Sequence, residues 1–202
     1  MKESVIKSGS QVILIVFSVV LGLFLSERIE DRKNSQEAAK LMSKLKLELK
    51  ENKKILDKWL PYHKNLIDSL NILVKDDQFV SDFINDKSRL IEVFYMKSIM
   101  GETPSHDAWD IAKSHPLVIN FKYEDLFAAS KIYNQQEGTY TPLERLMDQF
   151  LDSGFNSKEK AKANLIIFTN NLEEMYSREN QLLYFYNEAN KIIKYDTPEG
   201  GV

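Results

Sequence analysis

The chain contains no cysteine and has only 7 glycines and 5 prolines among its 202 residues. Without cysteine there is neither a disulfide nor a lipid-bearing N-terminal cysteine, so packing alone must stabilise the fold. The small number of glycines and prolines gives little support to a β-sandwich or barrel. The charged residues, 28% of the chain, suit a helical protein. The composition therefore predicts an all-α protein.

Signatures of catalysis and ligand binding are equally scarce. The chain has 3 histidines, and it lacks a glycine-rich phosphate loop, a Gly-x-Ser-x-Gly elbow and a His-Glu-x-x-His helix. Its net charge of -3 offers no basic field for nucleic acid. We therefore expect no enzymatic activity, no cofactor, no metal and no nucleic-acid partner.

One histidine cluster leaves two interpretations open. His106 and Asp110 lie four residues apart in a predicted short helix, beside Ser105 and Asp107. The histidine and the acid could share a cation. Hydroxyl and acidic side chains also satisfy the free N–H groups at a helix start, and the pattern favours this second interpretation.

A strongly apolar segment without charges runs from Gln11 to Ser26. Counted from Ser8 it has about 19 uncharged residues, close to the ~20 that a helix needs to cross ~30 Å of hydrocarbon. Bulky residues end it, whereas a signal peptidase requires small ones. We predict a short tail over residues 1–10 and an uncleaved, single-pass transmembrane helix with its core at 11–26.

Small residues recur on one face of this segment, at Ser18, Gly22 and Ser26. Such spacing lets a second helix approach closely. We interpret it as a packing face for a second copy of the chain, in a homo-oligomer, or for an integral membrane partner protein. The alternative is that serine and glycine are simply common in membrane helices.

The orientation in the membrane depends on the flanking charges. Lys2 and Lys7 precede the segment, and more basic residues follow it, which by count favours a cytoplasmic domain. That rule is weak for large domains, and a first helix with a short basic tail often keeps its tail inside. We predict that the C-terminal domain lies outside the cytoplasm.

Two long stretches carry apolar residues at alternating steps of four and three, which is typical of helices that pack knobs into holes. They predict long helices at about 35–74 and 157–194, paired antiparallel within a helical bundle over residues 27–195, before a flexible tail at 196–202. The positions are Ala38, Met42, Leu45, Leu49, Asn52, Leu56, Trp59, His63, Leu66, Leu70 and Leu73, and Ala161, Leu165, Phe168, Leu172, Met175, Glu179, Leu182, Tyr186, Ala189 and Ile193.

Polar residues within these stripes suggest a register. Asn52 opposite Glu179 would form one polar layer, which costs less than burying each residue alone. Pro61 lies inside the first stretch but the heptad stays in phase across it, so we predict a bend without a break. Thr103 and Pro104 are predicted to open a short helix that ends before His115.

Several short motifs carry a resemblance. They are the apolar segment leading to Glu27-Arg28, then Leu45-x-x-Glu48-Leu49-x-x-Asn52, Ala108-Trp109 and Ile132-Tyr133. Together they resemble a family of uncharacterised bacterial single-pass membrane proteins known only as a domain of unknown function. The resemblance spans most of the chain and implies the bacterial inner membrane, with the tail inside and the domain in the periplasm. It implies no activity.

The sequence therefore favours a membrane-anchored helical scaffold or accessory subunit that makes protein–protein contacts in a bacterial envelope complex, with membrane lipid around its anchor. One alternative is a tethered sensor module that binds a ligand and signals through a partner. A second alternative is a membrane-bound enzyme of unknown type, although no constellation of acids, bases or ligands supports it.

Overall fold

The computed structural model describes residues 2–95 and 98–196, with side chains from Leu14 onwards in the first helix. Within these residues there are seven α-helices, one 3-10 helix and no strand, which confirms the all-α prediction. The helices are α1 (Lys2–Leu73), α2 (Asp77–Asn85), α3 (Arg89–Glu92), α4 (Asp107–Ser114), the 3-10 helix (Pro116–Asn120), α5 (Tyr123–Thr139), α6 (Thr141–Leu151) and α7 (Ala161–Ile193). The predicted tail beyond residue 196 lies outside the described residues.

Helix α1 is one unbroken helix of 72 residues. It takes in the predicted tail, the predicted transmembrane segment and the predicted long helix, which the sequence analysis had treated as separate parts. The helix continues across Pro61, because the loss of a single N–H donor is small beside the packing of the whole stripe. The side chains of residues 2–13 lie outside the described part.

Within the described residues, no helix has the apolar length that crossing a bilayer requires. The transmembrane assignment of residues 11–26 therefore stays a prediction, and its first three side chains belong to the part that is not described.

Helices α1 and α7 pair antiparallel, and three contacts along their length fix the direction. Asn71 donates a hydrogen bond to Glu173, at 2.9 Å. Further along, His63 lies 2.7 Å from Glu179. Near the other end Lys50 approaches Asp196, three residues beyond the end of α7, at 3.8 Å. From the first contact to the third, the residue numbers decrease in α1 and increase in its partner segment. The two helices therefore run in opposite directions.

The heptad stripes form the buried seam of this pair. All ten predicted positions of α7 are buried. In α1, nine of the eleven are buried, whereas Met42 and Leu73 near the ends are partly exposed. Because both stripes are wider than a two-stranded seam, α5 and α6 also pack against α7. The helical bundle is therefore confirmed.

The observed register differs from the predicted one. Glu179 meets His63, and Asn52 lies eleven residues before His63 in α1, about 16 Å along the helix axis. Asn52 instead binds the backbone of Ser105. A backbone amide offers a donor and an acceptor to the asparagine, and the imidazole offers a hydrogen-bonding nitrogen to the glutamate. Ser105 is therefore a better partner for Asn52, and His63 a better partner for Glu179, than Asn52 and Glu179 would be for each other.

A non-helical connection, residues 98–106, links α3 and its following turn to α4; we call it the strap. It lies along α1 and runs antiparallel to it. The hydroxyl of Tyr62 donates to the carbonyl of Ser98 at 2.7 Å, and Lys58 pairs with Glu102 at 2.6 Å. The helix predicted to open at Thr103 begins instead at Asp107, because α1 side chains hold the backbone before it in another conformation.

Candidate functional site

The carboxylate of Glu48 in α1 is the centre of a hydrogen-bond network at the end of the strap. Oε2 accepts from the backbone N–H of Ala108 at 2.7 Å and from the hydroxyl of Ser105 at 3.0 Å. Oε1 accepts from the hydroxyl of Tyr133 at 2.7 Å and the N–H of Trp109 at 3.2 Å. A carboxylate at a helix start satisfies free N–H groups and complements the helix dipole. Glu48 therefore caps α4 from another helix.

Two amide side chains fix the backbone just before α4. Asn52 donates to the carbonyl of Ser105 at 2.6 Å and accepts from the N–H of the same residue at 2.8 Å. Gln136 of α5 donates to the carbonyls of Pro104 and Ser105 at 3.1 and 3.0 Å, and its own oxygen accepts from the hydroxyl of Tyr186. The network thus ties α1, α5 and α7 to one turn of the strap.

Burial of this network changes the acidity of its phenols. Burial, and then the hydrogen bond to Glu48, raise the pKa of Tyr133 far above its usual value. Burial also raises the pKa of Tyr186 well above the usual range. Both phenols therefore remain protonated donors at any physiological pH, so their hydrogen bonds to Glu48 and Gln136 persist.

A cleft of about 450 Å³ opens between α4 and α5 on the outer side of this network. The rings of Trp109 and Tyr133 stack on each other in its lining, with centroids 5.2 Å apart and an angle of 3° between the planes. Its lining residues are Thr103, Pro104, His106, Trp109, Asp110, Lys113, Tyr133, Asn134, Gln136, Glu137 and Tyr140. A cleft with an aromatic wall and a charged rim is able to receive a small molecule.

The rim of the cleft contains the histidine cluster noted in the sequence. His106 Nδ1 lies 2.6 Å from Asp110, and Lys113 lies 2.6 Å from the same carboxylate. The hydrogen bonds of Lys113 and then His106 hold the pKa of Asp110 below its usual value. The acid is therefore engaged by the ammonium of Lys113 and the imidazole of His106. Among the described residues, no group of three or more histidine and acidic side chains is placed to hold a metal ion.

The structure separates the two residues predicted to form the polar layer. Asn52 belongs to the network around Glu48, whereas Glu179 lies in the middle of the α1–α7 pair, where His63 is its partner. Both are buried. The predicted burial of two polar side chains in the seam therefore holds, but they occupy two different sites.

The predicted packing face on the N-terminal part of α1 is exposed. Ser18 donates its hydroxyl to the carbonyl of Leu14 at 2.8 Å, within its own helix. A Cβ atom at Gly22 would meet nothing within 4 Å, and Ser26 is also exposed. Within the described residues, the face is free of contacts with the rest of the chain.

Sequence analysis missed the convergence of these residues. Glu48 and Asn52 stood in one motif and Trp109 and Tyr133 in two others, and nothing in the spacing showed that the three motifs meet. Gln136 did carry a signal, because it continues the buried face of α5 one turn after Tyr133. A polar residue on a buried helical face requires a partner, and here the partners are the strap carbonyls.

Comparison of the chain with protein-family models, with curated proteins and with solved structures gave no match in any of the three.

Proposed function

We propose that this protein is a membrane-anchored helical scaffold or accessory subunit, with residues 11–26 of α1 lying in lipid and the bundle making protein contacts beside the membrane. One observation carries the proposal: a stretch of α1 is apolar all round and, in the part of the chain that the structure describes, is covered by no other element. Its exposed residues are Leu14, Ile15, Val16, Phe17, Val19, Val20, Leu21, Leu23, Phe24 and Leu25, each at least 44% exposed.

An amphipathic helix would show one apolar face, whereas this stretch shows apolar side chains on every side. Lipid is a solvent that covers all sides of a single helix at once. The internal hydrogen bond of Ser18 also suits such surroundings, because it leaves the hydroxyl without an unmet donor. From Ser8 to Ser26 the helix is about 28 Å long, close to the hydrocarbon thickness of ~30 Å.

A membrane wash tests the anchor. We expect the full chain, expressed in bacteria, to stay with the membrane fraction in concentrated urea and to be released by detergent. The double variant Val16→Arg with Val20→Arg should be lost from the membrane, because each arginine near a helix centre costs about 3 kcal/mol. Ile72→Arg is the matched control: Ile72 lies in the same helix and is 71% exposed, but it is far from the apolar stretch.

Release of the wild-type chain by urea would contradict the anchor. So would retention of the double arginine variant.

For the orientation, we propose that the short N-terminal end is inside and that the bundle lies in the periplasm of a bacterial cell. The reluctance of a first helix to move its basic tail across the membrane supports this arrangement, as does the resemblance described above. A reporter fused after Val202 that is active only outside the cytoplasm should be active. Activity of the matching cytoplasmic reporter instead would place the bundle on the other side.

The cleft favours a second candidate function, a tethered sensor module. A ligand between α4 and α5 would touch the turn that Glu48 and Asn52 hold, and these residues belong to the helix that continues to the apolar stretch. Ligand binding would therefore bear directly on α1. Mild-detergent purification separates the two: defined co-purifying proteins support the scaffold, and a lone chain that retains a small molecule supports the sensor.

A further inference from the structure

His63 and Glu179 form a buried pair at a junction of three elements. Both side chains are 0% exposed, and Nδ1 of His63 lies 2.7 Å from Oε2 of Glu179. The other ring nitrogen, Nε2, lies 2.9 Å from the carbonyl oxygen of Ile99 in the strap. One imidazole ring thus connects α1, α7 and the strap through two hydrogen bonds.

The partners of the ring determine how many protons the pair holds. A backbone carbonyl only accepts, so Nε2 must carry a hydrogen. Nδ1 then either donates to an ionised Glu179 from a protonated His63, or accepts from a protonated Glu179. Without a proton between them, a nitrogen lone pair would face a carboxylate at 2.7 Å. Both permitted arrangements contain one titratable proton.

The burial of the glutamate supports this count. Its second oxygen, Oε1, is buried and makes no hydrogen bond within the described residues. A buried carboxylate charge without full hydrogen bonding is costly, so a state with the charge left on Glu179 and a neutral His63 is strongly disfavoured. The proton in the pair removes that isolated charge.

Within residues 2–95 and 98–196, the neighbours of the pair are buried phenols and charged side chains that pair at the surface. Two phenols lie beside it: the ring centroid of Tyr62 in α1 is 5.6 Å from that of His63, and Tyr140 at the α5–α6 junction is close enough to Glu179 to respond to its charge. Burial, and then the charge of Glu179, raise the pKa of Tyr140. The charged side chains of the surrounding elements pair at the surface, as Lys58 with Glu102, Lys64 with Asp68, and Arg145 and Arg178 with Glu174.

We propose that the folded chain keeps one proton in the His63–Glu179 pair above neutral pH, where the unfolded chain has released it, so that the junction of α1, α7 and the strap weakens as the pH rises. Histidine and glutamate in unfolded chains have pKa values of about 6.5 and about 4.3. Between these two pH values the folded and the unfolded chain each hold one proton at this pair, so the pair adds no pH dependence to the stability of the fold. Above about 6.5 the folded state holds more protons than the unfolded state, so stability falls with rising pH.

Glu179→Gln tests the proposal without removing the hydrogen bond. The amide of this variant donates to Nδ1 of a neutral His63, and Nε2 still donates to Ile99. Folding of the variant then takes up no proton at this site. We expect the folding equilibrium constant of the wild type, divided by that of the variant, to fall about ten-fold for each pH unit between 6 and 9. A ratio that does not change with pH would overturn the proposal.

The exposed pair of His106 and Asp110 is the matched control. It has the same contact, Nδ1 to a carboxylate at 2.6 Å, but both side chains are at least 43% exposed. Asp110→Asn should change the same ratio by no more than about two-fold over this pH range, because water solvates both partners in either state.

A measurement on the wild-type chain covers the case in which Glu179→Gln does not fold. The ring-nitrogen resonances of His63 should stay constant between pH 5.5 and 8. A titration step of His63 near pH 6.5 would overturn the proposal, whatever the variant does. Both experiments use the full chain in neutral detergent.

Discussion

The two halves of α1 have opposite relations to their surroundings. In the half before Ala38, from Leu14 onwards, apolar side chains are exposed on all sides and no other helix covers them. In the half from Ala38 to Leu73, one face carries a stripe of mostly buried apolar side chains, and the large apolar side chains that stay exposed are Leu47 and Ile72. Among the described residues, no other element covers the apolar stretch of the first half, whereas the second half has packing partners along its length. One continuous helix thus combines a stretch with exposed apolar side chains and a stretch that packs in the bundle.

The largest effect should come from Glu48→Ala in the bundled half. The change leaves two backbone N–H groups and the hydroxyl of Tyr133 without their acceptor, so we expect a loss of about 4 kcal/mol in the free energy of unfolding. Denaturant unfolding in neutral detergent, followed by tryptophan fluorescence, measures it, since both tryptophans lie in the bundle. Glu51→Ala is the control, because Glu51 only pairs with Lys54 at the surface. Equal effects of the two variants would show that the network adds no stability.

A somewhat smaller loss, about 3 kcal/mol, is expected from Leu56→Ala. Leu56 is 0% exposed in the seam with α7, and its truncation removes apolar burial and leaves a cavity. The same truncation at Leu47, which is 60% exposed on the same helix, should have little effect. If both leucines proved equally tolerant in the unfolding measurement, the seam described here would not be the core of the bundle.

Gly22→Leu, in the exposed half, should have the smallest effect on folding, near zero. A larger side chain there meets no atom of the chain, and leucine suits an apolar helix. Its expected effect is on assembly: if a second helix packs on Ser18, Gly22 and Ser26, crosslinked oligomers or co-purified partners should decrease. Val20→Leu, a bulkier residue away from this stripe, is the control. Unchanged crosslinking in both variants would show that the stripe of Ser18, Gly22 and Ser26 is not a packing face.

The sequence predicted the faces of the helices better than their relative positions. Periodicity depends on which side of a helix is buried, and it correctly marked every stripe position of α7, from Ala161 to Ile193. It contains no information on how far one helix slides along another. That offset is set by specific partners, and the partner of Glu179 proved to be His63.

The candidate site was the least predictable part of the molecule. Its turn, Pro104 to Ser105, has no helix or strand pattern of its own, and its conformation depends on Asn52 and Gln136, which are distant in sequence. Non-periodic segments held by distant side chains give no local signal. The cleft beside Trp109 follows from that turn, so it too became visible only in the folded chain.

The unbroken course of α1 has a mechanical consequence. From Gly22 to Glu48 the helix measures about 39 Å. If the apolar stretch lies in lipid, a change in bilayer thickness that tilts it by about 10° would swing Glu48, and the turn it caps, sideways by about 7 Å. A small tilt of the apolar stretch would then be amplified into a larger displacement of the bundle, as by a lever.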